Sequence, residues 1–172
     1  MADVQALETH MRALEARLAV LEDVEAIRRL KARYGELVDA RYGPDGPLAE
    51  PELRRIAGEI AELFSDDAEW DGGPGLGVAR GRDAISERFA APTLRFSWHY
   101  FVKPQISVTG DTATGRWDLL APCTLRDGRP AWMAGVEDDG YRKVDGRWLH
   151  TAMRLRVVFF APHEIGWGKK TS

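Results

Sequence analysis

From Phe96 onward, runs rich in Val, Trp, Thr and Phe are cut by three turn dipeptides, Gly110-Asp111, Asp127-Gly128 and Asp145-Gly146. Such pairs adopt the tight turns that join antiparallel neighbours, so this half of the chain reads as consecutive hairpins in a meander. The first half has another texture. Leu7, Met11, Leu14, Leu18 and Leu21 are spaced 4, 3, 4, 3, a short heptad seam that ends where Glu25 takes the next seam position. This segment is either an amphipathic helix lying on its own domain or a self-association helix. No Pro or Gly follows it, so the helix is expected to continue through Ile27, Leu30, Tyr34, Leu37 and Val38 and to stop near Tyr42-Gly43-Pro44. Pro51 opens a second helix bearing Leu53, Ile56, Ile60 and Leu63; residues 68–71 read as a short strand, 72–77 as a turn-rich loop and 83–89 as a short helix. Helices first and long antiparallel strands last give an α+β fold, with the helices packed on one face of a sheet.

At 172 residues one core is complete, so one domain with a short extension is expected. The 44% hydrophobic content is spread out rather than gathered into a membrane-length run. With 24 Lys+Arg against 27 Asp+Glu the chain has no basic excess for nucleic acid or an anionic membrane, and neither is expected as a partner. Cys123 is the only cysteine, which excludes an intrachain disulfide and a thiolate metal cluster; in Ala121-Pro122-Cys123-Thr124 it reads as a packed thiol. The N-terminal segment lacks the apolar core of a signal peptide, which points to the cytoplasm. His10, His99, His150 and His163 show no metal-ligand spacing, so no metal is expected. The glycines of segment 75–81 lack the βαβ context of a dinucleotide loop, and no cofactor is expected.

Four ionisable residues are set into apolar runs. His99 lies within Phe96-Ser97-Trp98-His99-Tyr100-Phe101-Val102, Asp39 follows Leu37-Val38, Asp118 follows Trp117 and precedes Leu119-Leu120, and Arg154 sits between Met153 and Leu155. Each alone is compatible with a solvent-facing position on an alternating strand, or with a satisfied core histidine. Buried charge is costly unless paired, so together they point to a polar pocket within an apolar shell.

The sequence resembles the SnoaL-like branch of the NTF2-like (cystatin-like) superfamily of α+β cones, in the group of scytalone dehydratase, bile acid 7α-dehydratase and hexachlorocyclohexane dehydrochlorinase. The matching stretches are Ala26 through Tyr34 with Asp39, Phe64-Ser65-Asp66-Asp67-Ala68-Glu69-Trp70, Gly81 through Ile85, Trp98-His99-Tyr100, and Tyr141 through Trp148. The resemblance implies N-terminal helices on a curved antiparallel sheet, with residues 22–172 as the domain and 1–21 as a helical extension.

The resemblance further implies a cofactor-independent elimination, dehydration first, on a mid-sized apolar ring compound such as a polyketide or steroid. His99 would be the base, Asp39 its orienter, Tyr34 a hydrogen-bond donor to substrate, Arg154 a stabiliser of developing negative charge, and Asp118 a further polar group. Trp98, Phe101, Trp117, Leu120, Trp132 and Met133 are the candidate substrate-binding residues. On an ideal helix Tyr34 and Asp39 are about 140° apart, so the helix must end or distort near Val38 for both to face one cavity. Arg154 and Arg156 share strand parity, and either could be the pocket arginine. An isomerase or polyketide cyclase with the same dyad, and a non-catalytic small-molecule binding protein, are the alternatives. A homo-oligomer is implied, a trimer first and a dimer second.

Overall fold

A computed structural model describes residues 2–164. Residues 165–172 of the expected domain, and Met1, lie outside the described residues. In chain order the elements are α1 (Ala2–Asp39), β1 (Tyr42–Gly43), β2 (Gly46–Pro47), α2 (Glu50–Ala61), β3 (Phe64–Asp71), β4 (Val78–Arg80), α3 (Arg82–Ala90), β5 (Phe96–Ser97), β6 (Tyr100–Thr109), β7 (Thr112–Thr124), β8 (Pro130–Val144) and β9 (Arg147–Pro162).

All three turn dipeptides sit between paired strands. The β8–β9 turn carries two successive positive φ values, 50° at Asp145 and 76° at Gly146, the backbone twist that two-residue hairpins favour. The sheet runs β4-β3-β9-β8-β7-β5, with β6 also paired to β7. It departs from a pure meander at one seam: β3 lies parallel to β9. The meander therefore closes on the strand that precedes it, which leaves α2 and α3, on either side of β3 in the chain, free to cover one face.

α2 and α3 pack on the sheet through Ile56, Ala57, Ile60, Ile85 and Phe89, which join Phe64, Trp70 and Met153 of β3 and β9 in one core cluster. α1 divides in two. Residues 3–22 are exposed throughout, so the heptad residues Leu7, Met11, Leu14, Leu18 and Leu21 do not lie on the domain. From Ile27 the same helix is seated, burying Lys31, Tyr34, Leu37, Val38 and Asp39.

Two local breaks position the site. α1 ends at Asp39, earlier than the Gly43-Pro44 signal, because the chain turns at once into the small β1–β2 hairpin. The second break separates β5 from β6, both of which pair with β7. Trp98 N–H donates to Pro122 O (3.1 Å), but the next N–H, that of His99, leaves the ladder. A backbone donor withdrawn from a ladder needs another acceptor, and the acceptor here is a side chain of α1.

Candidate active site

That acceptor is Asp39. Its Oδ2 takes the His99 backbone N–H at 3.1 Å while Oδ1 lies 2.6 Å from His99 Nδ1. An ionised carboxylate only accepts, so Nδ1 carries the proton and the lone pair of neutral His99 is on Nε2. Phe101 stacks on the imidazole at a centroid distance of 6.0 Å and 14° between planes, which fixes the ring from behind. The helix ending answers the 140° problem, since Asp39 as the last helical residue reaches His99 in the β5–β6 break while Tyr34, more than a turn earlier, faces the same interior.

His99 opens onto a cavity of about 420 Å³ that Tyr34, Trp70, Leu119, Met133 and Leu155 also line. This lies in the range of small-molecule pockets and suits a compound of two or three rings. Tyr34 Oη accepts from Trp70 Nε1 at 3.2 Å, so its own hydroxyl proton is available to a ligand. Burial first, and then the charge of Glu137, push the Tyr34 pKa well above the ordinary phenol value. The phenol stays protonated.

Of the other expected site residues, the cavity takes few. β9 alternates Met153 and Leu155 inward, so Arg154 and Arg156 both point out; Arg154 pairs with Asp71 (3.4 Å) and Glu69 (3.7 Å) on β3. The same parity on β7 turns Asp118 to the outer face, where Lys103 Nζ meets it at 2.6 Å, and leaves Leu120 38% exposed. Trp98, in the β5–β6 break, is 48% exposed. Trp132 is the outward neighbour of Met133 and donates to His163 Nδ1 at 2.9 Å. Trp117 points inward but sits away from the cavity wall, donating to Tyr141 Oη at 3.0 Å. Phe101 backs His99 rather than lining the cavity, and Met133 alone of the six expected substrate-binding residues lines it.

Three charged residues absent from the sequence expectation take their place. Arg41, Arg88 and Glu137 all line the cavity. Glu137 belongs to a buried network as well: Lys31 Nζ donates to Glu137 Oε2 and, at 2.9 Å, to Asp139 Oδ2, which also accepts from Tyr141 Oη at 2.7 Å. Two carboxylates share one ammonium, and Asp139 has the second donor. Burial therefore raises the Glu137 pKa, against the opposing charge of Lys31. Sequence signals existed: Lys31 falls on the buried stripe between Ile27 and Tyr34, and Glu137 and Asp139 share the inward parity of Met133 and Tyr141.

His150 completes the interior, stacked on Phe64 at 5.0 Å and near Tyr141 at 4.9 Å. Burial drives its pKa down to about 3. The folded protein therefore holds it neutral, whereas the unfolded chain takes up a proton near pH 6.5. As pH falls from about 6.5 towards 3, the unfolded state binds the extra proton and stability is lost, with a limiting slope of about 1.4 kcal/mol per pH unit from this group. Urea unfolding across pH 7 to 4 should show that slope in the wild type and its loss in His150→Gln; equal slopes would refute the assignment.

Among the described residues no group of three or more His, Cys, Asp or Glu side chains is placed to hold a metal ion, and no helix is long and apolar enough to cross a membrane. The Cys123 thiol is buried and its pKa is pushed up to about 11, away from thiolate chemistry.

The SnoaL-like domain family model matches residues 54–154. The chain belongs to the SnoaL-like family. Solved structures agree with that membership in the NTF2-like superfamily. The type 3 hexachlorocyclohexane dehydrochlorinase of Novosphingobium barchaimii superimposes with a TM-score of 0.70 at 24% identity, over 85% of this chain and 93% of that one. A candidate scytalone dehydratase of Novosphingobium aromaticivorans gives 0.66 at 25% identity, over 87% and 97%. An NTF2-like protein with a cystatin-like fold from the latter organism gives 0.62 at 27% identity, over 84% and 88%. This SnoaL-like chain thus shares its α+β cone with dehydratases and dehydrochlorinases.

Proposed function

We propose that this protein is a cofactor-independent lyase that removes water from a mid-sized apolar ring compound. The observation that carries the reading is the Asp39–His99 pair, with His99 on the wall of a largely apolar cavity, Nδ1 bound and Nε2 free. His99 Nε2 takes the proton from carbon next to a carbonyl, the freed electron pair forms the carbon–carbon double bond, and the neighbouring C–O bond breaks. Asp39 holds the imidazolium that results. Tyr34 donates a hydrogen bond to the carbonyl as it becomes enolate-like, without giving up its proton.

The departing hydroxyl needs a proton to leave as water, and Glu137 is the acid suited to supply it. It lines the same cavity, and because Lys31 brings one positive charge to two buried carboxyl groups, one of the two can hold a proton; burial favours that proton on Glu137 and the charge of His99 opposes it, so protonation of the base favours ionisation of the acid. Solvent exchange then returns the proton from His99 to Glu137.

The test pairs two bicyclic β-substituted ketones, one bearing hydroxyl and one chloride, and reads product masses. Loss of one water from the hydroxy ketone is expected; rearrangement at constant mass would instead assign an isomerase. Glu137→Gln should slow dehydration about 10²-fold while sparing loss of chloride, which leaves without a proton. Equal slowing of both reactions would remove Glu137 from the acid role.

A further inference from the structure

Arg41 and Arg88 stand apart from the other polar groups of the cavity. Exposed arginines such as Arg54, Arg55 and Arg142 form carboxylate ion pairs, but among the described residues neither cavity arginine has a carboxylate within ion-pair distance. Arg41, only 6% exposed, gives Nε to Val38 O (2.9 Å) and Nη1 to Phe89 O (3.1 Å). Arg88, half-buried, gives Nε to Leu76 O (3.2 Å) and Nη1 to Ala91 O (3.2 Å). Each guanidinium is thus fixed by backbone carbonyls at or just beyond the ends of α1 and α3 and by the nearby loop, and among the described residues its Nη2 meets no acceptor. Aromatic faces hold them too, Arg41 at 5.0 Å from Phe89 and Arg88 at 5.4 Å from Trp70.

The nearby carboxylates have other partners: Glu137 is held by Lys31, and Asp39 by the ring and backbone N–H of His99, its charge reaching Arg41 only from beyond ion-pair distance. The two guanidiniums are close enough that Arg88 acts on Arg41, with burial the larger influence lowering its pKa. Helix C-terminal carbonyls offset part of a cation's burial cost, but carbonyls do not supply a counter-charge. Two like charges in one apolar cavity, pre-positioned with spare coplanar donors, are the arrangement that a planar oxyanion completes.

We propose that Arg41 and Arg88 form a carboxylate-binding end of the cavity, and that the ring compound it takes carries a carboxylate group. This rests on the reading of the cavity as a substrate site and narrows it from an apolar ring compound to an apolar ring acid. Leu119, Met133 and Leu155 form the apolar wall against which its rings pack.

Equilibrium binding of 2-naphthoate and its neutral counterpart 2-naphthamide, followed by titration calorimetry at neutral pH and low salt, tests the proposal without turnover. The wild type should bind the carboxylate about tenfold or more tighter than the amide, with the margin shrinking as salt rises. Arg88→Gln, which keeps a donor for the carbonyls but loses one of the two charges, should shrink the margin between the two probes several-fold, with the larger change in the affinity for the carboxylate. Arg88→Lys should restore part of the margin. Equal binding of the two probes by wild type, or an unchanged margin in Arg88→Gln, overturns the proposal. His99→Gln should keep the preference, so a failed elimination and a failed carboxylate site give different results.

Discussion

His99→Gln is expected to lower turnover by about 10²- to 10⁴-fold, the usual contribution of a positioned general base. The mutant keeps a side-chain donor towards Asp39 and loses the basic Nε2, so its thermal unfolding should stay near that of the wild type while kcat collapses. Asp39→Asn probes the same pair from the other side. An amide can donate to Nδ1, which moves the imidazole proton to Nε2 and turns the base into a donor facing the cavity. A loss of similar size is expected there, again without unfolding. Full activity in a folded His99→Gln protein would remove the dyad from the mechanism. NMR titration of the His99 ring separates catalysis from mere binding: a base coupled to Asp39 changes its titration in Asp39→Asn, and a bystander does not.

Lys31→Met is expected to cost about 3–5 kcal/mol of folding stability, because it removes the one cation that the buried Glu137 and Asp139 share and leaves buried charge uncompensated. Lys31 is 1% exposed and meets Glu137 and Asp139 at once. Its aliphatic stem and ammonium also lie against Phe101, with Nζ 4.4 Å from the ring centroid, so methionine preserves most of the packing while deleting the charge. Chemical denaturation at pH 7 measures the loss. At lower pH Glu137, whose pKa burial raises and Lys31 lowers, takes up a proton more readily in the variant than in the wild type, so the deficit should shrink on mild acidification. A deficit below about 1 kcal/mol would mean that the trio stabilises no more than an exposed pair does.

The hairpins were legible because each is encoded locally, whereas the meeting of Asp39 and His99 across 60 residues was implied by the family resemblance. Turn dipeptides state where strands reverse, and His99 and Asp39 stand out against apolar neighbours. What could not be read was which distant charges meet. Lys31 and Glu137 are 106 residues apart in sequence, and the parity of β8 becomes informative only once its inward face is known. Arg154 illustrates the opposite error. It was assigned through a family resemblance, and strand alternation, fixed by Met153 and Leu155, put it outside. Arg41 and Arg88 carry no sequence signal of a cavity role, because they fall at or near helix ends, where an arginine ordinarily serves the last carbonyls. Both do that, and both also line the cavity.

The seating of α1 has a mechanical consequence. Lys31, Tyr34 and Asp39 ride on one rod, the first keyed to β8, the last keyed to the start of β6, and the second between them. A slip of one residue would turn the rod by about 100° and release both keys together. Apolar packing alone tolerates such slippage better than two directional polar locks. The interior ion trio is thus the alignment gauge of the reaction centre, and a fault that loosens it is expected to blur Asp39 against His99 before the sheet itself gives way.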